Sequence, residues 1–449
     1  MIVPTELLKS IVDEIISIDR TNIVIISGVI FSASNLDFKL STTTDFTIDR
    51  FNVHQNFSEN IVDDINLDIL TSANSLIKLV ENKSSLYISL VVEYVDPETG
   101  QVVLDEEVEI YKYKVFVHNI ENILKRLPAD AVIPNDGIDN PITETQAINN
   151  VSIKLQLFSD SSYFVNKSSF VGLLSDADVS SAIKYISSAC GISNIDMISP
   201  DNTVSYKHIY IPPEQWKFKS IIGFLQKEYG IYNCGLNYYF TNDILYVYPP
   251  FDMDSTHRPD VSIYKIHNTT YAGSPNFHKV KDDELHIVSN SEMVNDNLSA
   301  RAAENSGNSR VFLRSDNMID GIVDQSSMKI TDTSIALSNK LDNSIHPESA
   351  IPQYRKPSQN VFELASQMNE GNTELIGLGW ASARLFMIKP GTPVSFIYDE
   401  KNVVMKKHGI IEMVGYEVVK SGNSFGQFVY QNVCTMIIRL ELDQKKFTI

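Results

Sequence analysis

The chain has 449 residues, 43% of them hydrophobic and 21% charged, with 56 Asp and Glu against 37 Lys and Arg, for a formal net charge of -19. That length predicts roughly three domains with enough apolar material for packed cores, while the acidity argues against a protein that grips nucleic acid by neutralising its phosphates. No run of about 18 apolar residues occurs and the start lacks a basic and apolar leader, so neither a membrane span nor a secretory signal is expected, and the chain should stay in the cytoplasm that makes it.

In chain order, Leu7, Leu8, Ile11, Ile15 and Ile16 follow Pro4-Thr5 at the spacing of one helix face. β-Branched and aromatic runs then predict strands over 22–31, 44–53, 61–70, 85–94 and 102–118, separated by turn-rich pieces such as Asp96-Pro97-Glu98-Thr99-Gly100. Phe46 to Val53 alternates apolar and polar residues, as a strand buried on one face requires. Several short strands with hairpin turns predict an antiparallel barrel or sandwich. A helical piece at 120–127 leads into a stretch rich in Pro, Asp, Asn and Thr over 129–150, expected to be a linker.

Strands are expected again over 151–157 and 163–173, and Asp176-Ala177-Asp178 introduces a helix over 179–189 that Gly191 closes. From Trp216 to Tyr248 the local signals all agree. Phe218, Ile221, Ile222, Leu225 and Tyr229 share one helical face, Lys227 sits in the last turn, and Gly230 falls where a left-handed residue stops a helix. A strand to Phe240, a Thr241-Asn242-Asp243 turn and a second strand from Ile244 to Tyr248 follow, ended by Pro249-Pro250. The whole reads as an α+β domain.

Over 251–354 the periodicity is poor and only 261–266, 285–288 and 310–314 look like strands. So long a span is too much for one loop, and it is expected to be an irregular insertion that orders on a partner. A short helix near 361–368 then precedes strands over 373–387, 394–398, 409–420 and 428–442, with a Pro390-Gly391 turn and a Ser421-Gly422-Asn423 turn.

The candidates for chemistry are weak. Gly377-Leu378-Gly379-Trp380-Ala381-Ser382 lacks the third glycine of a dinucleotide loop and leads into no helix. Ser181-Ala182-Ile183-Lys184 has a Ser-x-x-Lys spacing without companion motifs and reads as a solvated helix face. His278 and His286 have no third ligand nearby, and the adjacent carboxylates Asp63-Asp64 and Glu106-Glu107 point to opposite faces if on a strand. Cys190, Cys234 and Cys434 are far apart, odd in number and without metal spacing, so free and buried thiols are expected. No catalytic, cofactor-binding or metal-binding residue is expected, and no cofactor.

Phe224-Leu225, Glu228-Tyr229-Gly230-Ile231 and Asn242-Asp243-Ile244-Leu245 resemble the middle of the hub proteins of contractile phage tails and the related spike-base proteins of type VI secretion. Lys389-Pro390-Gly391, Val394-Ser395-Phe396 and the hairpin over 410–442 resemble that family's second barrel, and 46–90 its first. The resemblance implies a mainly β chain with an α+β middle. Its parts would be a tube-like β-barrel over 1–128, the linker over 129–150, the α+β domain over 151–250, an irregular partner-binding insertion over 251–360 and a second tube-like barrel over 361–449. It implies a structural virion protein and no enzyme: a homotrimeric baseplate hub that adapts a sixfold tail tube to a threefold spike. Its partners would be the tail-tube ring protein, the central spike and the baseplate wedge proteins. DNA would pass through without specific binding, along a lumen to which Asp49, Glu107 or Glu412 would contribute. The alternatives are a virion-associated cell-wall or polysaccharide hydrolase and a carbohydrate-binding tail adhesin.

Overall fold

The computed structural model describes residues 12–13, 15, 23–42, 44–56, 61–95, 108–117, 150–250, 261–265, 278–281, 284–289, 294–295, 309–315, 318–324, 334–339, 362, 373–381, 383–400, 403–424 and 427–441. The chain is mainly β. Its strands are β1 (Ile23–Ser32), β2 (Lys39–Ser41), β3 (Phe46–Gln55), β4 (Asp64–Ser72), β5 (Leu86–Val95), β6 (Glu109–Val117), β7 (Asn150–Phe158), β8 (Gly172–Ala177), β9 (Asn194–Met197), β10 (Tyr206–Ile211), β11 (Asn237–Thr241) and β12 (Ile244–Tyr248). They continue with β13 (Val261–Lys265), β14 (His278–Lys281), β15 (Glu284–Ser289), β16 (Val294–Asn295), β17 (Ser309–Ser315), β18 (Met318–Asp324), β19 (Ser334–Asn339), β20 (Thr373–Ala381), β21 (Pro393–Glu400), β22 (Val403–Ser424) and β23 (Gln427–Glu441). The helices used below are α1 (Ala73–Glu81), α2 (Asp160–Lys167), α3 (Val179–Ala189) and α4 (Phe218–Glu228).

The large sheet returns on itself. Its pairings run β22–β3–β4–β7–β6–β5–β1–β23, and β23 pairs back to β22. On all eight strands alternate side chains are buried, among them Ile30, Phe51, Leu67, Leu90, Leu155 and Tyr416, and these join one apolar core. The alternation read over Phe46 to Val53 is thus the inward face of β3. Burying each such side chain contributes about 1.5–3 kcal/mol.

The long hairpin β22–β23 also serves a second group of strands. Beyond a bulge between Ile411 and Met413, its open end pairs with β21 on one side and β20 on the other. β21 pairs with β13, which pairs with β15, and Ser289 Oγ donates to the Gly379 carbonyl (2.8 Å), setting the end of β15 beside β20. Close packing of the hairpin demands small residues: a Cβ on Gly409 would lie 2.4 Å from the Arg439 carbonyl oxygen. β13 pairs parallel with both neighbours, a departure from the all-antiparallel expectation; parallel pairs need long connections, and the chain supplies them before Glu284 and before Pro393. β17, β18 and β19 form a separate three-stranded antiparallel sheet.

β7 belongs to the ring, and its Ile153, Leu155 and Leu157 sit in the ring's core; the middle unit that follows carries its own core, built from α3 and α4 against β11, β12 and β9, with Ile61 and Val62 added to it. Asp178 caps α3 by accepting from Ser181 N (2.7 Å), and Gly191 ends it at φ 79°. α4 buries Phe218, Ile221, Ile222 and Leu225, and Gly230 follows at φ 81°, as the spacing predicts. Asn242 and Asp243 both take positive φ, the turn that fits the twist of a two-residue hairpin.

Three local expectations differ from the structure. The strand expected over 163–173 is instead α2 followed by β8, because Ser159 caps Ser162 N (3.0 Å) and Val165 turns into the core, overruling the β-propensity of Tyr163-Phe164-Val165. α1 is not among the elements expected from the sequence, though Ser72 caps it at Ser75 N (3.2 Å) and Leu76 and Leu79 are buried. The turn expected at Ser421-Gly422-Asn423 is extended strand, with pairing continuing to Ser424↔Gln427 past a bulge between Lys420 and Gly422. The predicted helix at 120–127, most of the linker and residues 102–107 lie outside the described residues.

Candidate functional site

The residues singled out for chemistry do not converge. Ser181 and Lys184 lie on the exposed face of α3, and the Ser181 hydroxyl donates to its own cap, Asp178 (3.0 Å). Gly377 and Gly379 are interior to β20, and Trp380 is core. His278 is buried edge-on against Trp380 (centroids 5.1 Å), whereas His286, on the next strand, meets Tyr264 (3.2 Å). Burial, reinforced by the charge of Arg384, lowers the His278 pKa to about 4. Among the described residues no cluster of His, Cys, Asp or Glu is arranged to hold a metal. Cys190 and Cys434 are buried and Cys234 is partly so; none of the three is in a disulfide, and burial pushes Cys190 up to about 11.

What the tertiary structure does assemble is a junction. Asp63 and Asp64 point apart: Asp64 is half-exposed and accepts from Asn66 Nδ2 (3.0 Å), while Asp63 is buried. Asp63 Oδ2 accepts from Thr241 Oγ1 (2.7 Å) in the β11–β12 hairpin, and Oδ1 accepts from Gln55 Nε2 (3.0 Å) at the end of β3. Beside it, Phe240 N donates to the Ile61 carbonyl (2.7 Å), so backbone and side chain together join the middle unit to the eight-strand ring. Desolvation by burial raises the Asp63 pKa to about 6; the Thr241 and Gln55 hydrogen bonds oppose this and are outweighed.

A second contact joins the same hairpin to the long one. Tyr239 donates to the Pro390 carbonyl (2.6 Å), and Lys389 Nζ lies 3.1 Å from the Tyr246 hydroxyl and 4.3 Å from its ring centre. Tyr239, Tyr248 and Ile410 form a small buried cluster, and the Pro390-Gly391 turn fits it because Gly391, at φ 86°, leaves the Tyr248 ring room. Burial drives the Tyr239 phenol far above its ordinary range, so it stays a donor at any ordinary pH. The sequence marks Pro390-Gly391 as a turn, yet nothing local points to Tyr239, its partner 151 positions away.

The acidic residues considered for a lumen differ among themselves. Glu412 is engaged with the nearly buried Arg439 (2.6 Å), Asp49 sits at a bulge of β3 between Ile48 and Arg50, and Glu107 lies outside the described residues.

A third feature lies on the outside of the ring, where β1, β5, β6 and α2 meet. Phe31 and Tyr87 stack (centroids 5.9 Å) with Lys112 Nζ 5.3 Å from the Tyr87 ring centre. Phe116 and Tyr163 stack in the same way (5.1 Å), and the Lys114 and Lys167 Nζ atoms lie 4.3 and 4.2 Å from the Tyr163 ring centre. Tyr87 donates to Asp160 Oδ1 (3.2 Å), tying α2 to β5.

A family model described as Bacteriophage PBS1 gene 109 protein matches residues 28–361. Among solved structures the chain is similar to the tail protein from Neisseria meningitidis MC58, at 11% identity and TM-score 0.44, covering 93% of this chain and 97% of that one. It is also similar to the 43 kDa tail protein of prophage MuSo2 from Shewanella oneidensis, at 8% identity and TM-score 0.43, covering 92% of this chain and 98% of that one. A third is the prophage tail protein gp18 from Listeria monocytogenes EGD-e, at 11% identity and TM-score 0.37, covering 94% and 95%. No curated protein matches the chain in sequence.

Proposed function

Since the chain belongs to the bacteriophage PBS1 gene 109 protein family, we propose that it is a structural protein of the virion tail, the central hub of the baseplate. The observation that carries this reading is one chain holding two strand systems on a shared hairpin: the eight-strand ring, and the group of β13, β15, β20 and β21 at the open end of β22–β23. In this reading the two systems are the hub's two tube-like barrels, the first completed by C-terminal strands. Three copies then present six similar walls to a sixfold tube and a threefold face to a spike. The junction at Asp63 and Tyr239 holds the α+β unit that follows β7 against both, and 251–360, beyond the strands β13 and β15 that it lends to the second system, serves as a partner-binding region. The tail-tube ring protein lies above, the spike below and wedge proteins around the rim. The role is geometric and not enzymatic, and a channel that DNA traverses without specific binding is acidic or neutral, as basic side chains would hold phosphates.

The test is mass in solution with and without the spike partner, followed by imaging of the assembly. Three copies around a bore of roughly 20 Å or more, wide enough for B-form DNA, are expected. A monomer, a dimer, or a bore lined chiefly by Lys and Arg overturns the hub reading.

A further inference from the structure

On the outside of the ring the strand register sets side chains in rows. Phe31 pairs with Lys39 on β2 and with Tyr87 on β5, and Tyr87 pairs with Lys114 on β6, so these four share one row of the outer face. Val29, Ser89 and Lys112 form the next row, and Ser27, Val91 and Ile110 the one after. None of these residues is buried, and Ile110 is 68% exposed. Lys167 on α2 adds a fourth ammonium group, over the same Tyr163 ring as Lys114. Among the described residues no carboxylate lies within ion-pair distance of Lys39, Lys112, Lys114 or Lys167, whereas Arg50, Lys407 and Arg439 each have a Glu partner. Asp160, in the first turn of α2, is engaged by the Tyr87 hydroxyl. A chain of net charge -19 thus gathers four lysines without a counter-charge on one face. Ring contacts hold Lys112, Lys114 and Lys167 in place, which lowers the entropy lost when a partner arrives.

We propose that this face of β1, β2, β5, β6 and α2 docks an extended acidic segment of a different protein, with carboxylates on alternate residues set against Lys112 and Lys114 and an apolar side chain set on Ile110. The spacing carries the match. Ile110, Lys112 and Lys114 alternate along β6, so their side chains repeat about every 7 Å, and an extended partner repeats its own alternate side chains at the same interval. Each carboxylate gains a charge-assisted hydrogen bond that the isolated chain leaves unmade. Lys39 and Lys167 flank the track and favour further acidic residues on either side. A nucleic-acid strand fits less well. Phe31 stacks on Tyr87 and Phe116 on Tyr163, so these rings are occupied by one another and do not stand apart to take bases, and the chain's net charge repels a long run of phosphates. The inference is independent of the hub reading, which concerns contacts between copies.

The experiment is fluorescence anisotropy of labelled probes titrated with the full chain across a salt series. One probe is a peptide with a leucine and two glutamates at alternate positions, serines filling the rest. The second has the same composition with its glutamates adjacent, and the third is a thymidine oligonucleotide. The parent is expected to bind the first peptide saturably and more tightly than the other two probes, and less well as salt screens the contacts. A triple Lys112→Glu, Lys114→Glu, Lys167→Glu variant with parental melting should bind it about tenfold or more weakly. Ile110→Asp should also weaken it, and carries the test if the triple variant fails to fold, since this side chain lies outside the core. No saturable binding to the first peptide at low salt, equal affinity for the two peptides, or folded variants that bind like the parent overturn the proposal. Tighter binding to the oligonucleotide, lost in the same variants, assigns the face to nucleic acid and refutes it. A parent whose solution mass exceeds one chain and falls to one chain in both variants, without peptide binding, assigns the face to a second copy and likewise refutes it.

Discussion

Replacing Asp63 with Asn tests the junction most directly. In the folded chain the carboxyl titrates near 6, against 3.8 for the free group. A folded pKa above the unfolded one means that its favourable contribution is complete below about pH 3.8 and is lost as pH rises through about 6. A gap of roughly two units corresponds to about 3 kcal/mol at higher pH, where the fold must hold a buried carboxylate. Asn carries no charge and keeps an oxygen for the Thr241 hydroxyl. Its amide needs an acceptor, and Gln55 Oε1, buried and without a hydrogen-bond partner among the described residues, provides one if the Gln55 amide turns over. Asp63→Asn should therefore stabilise the chain by about 1–3 kcal/mol near pH 8 and by less than about 0.5 kcal/mol near pH 4, with the change confined to the window between. Urea unfolding followed by fluorescence of Trp216 and Trp380 at several pH values reads this difference. An effect of the same size at every pH, or a destabilisation near pH 8, would refute the assignment of Asp63 as a proton-holding buried acid.

Gly230→Val should cost about 1–3 kcal/mol in thermal unfolding, since the position is left-handed and the new Cβ would fall 2.4 Å from the Phe362 ring; a parental melt would show that the α4 stop lies elsewhere. His278, with a pKa depressed from 6.5 to about 4, contributes stability that is present above about 6.5 and lost as pH falls through about 4. His278→Phe should flatten that acid limb, and an unchanged acid midpoint would count against it. Tyr239→Phe removes the bond to the Pro390 carbonyl and should cost about 1–2 kcal/mol, more from the stranded buried acceptor than from the bond itself. Amide exchange should quicken in β11 and β12, and protection identical to the parent would mean the contact adds nothing.

The sequence by itself determined what depends on neighbours a few residues apart. The face of α4, the stop at Gly230, the cap at Asp178, the hairpin at Asn242-Asp243 and the inward alternation of β3 follow from spacing and backbone preference, and the structure carries each of them. Where two local preferences competed, as over 160–173, capping and the burial of Val165 outweighed strand propensity, and propensity alone misled. Only the tertiary structure decided how the strands are shared. β22 and β23 read as an ordinary long hairpin, yet one end completes a ring with strands from near the start of the chain and the other gathers β13, β20 and β21. Asp63 and Thr241, 178 positions apart, carry no mutual signal in the sequence. Their pairing follows from the geometry of the packed ring and the middle unit, where burial raises the acid's pKa and leaves the Thr241 and Gln55 side chains within reach as donors.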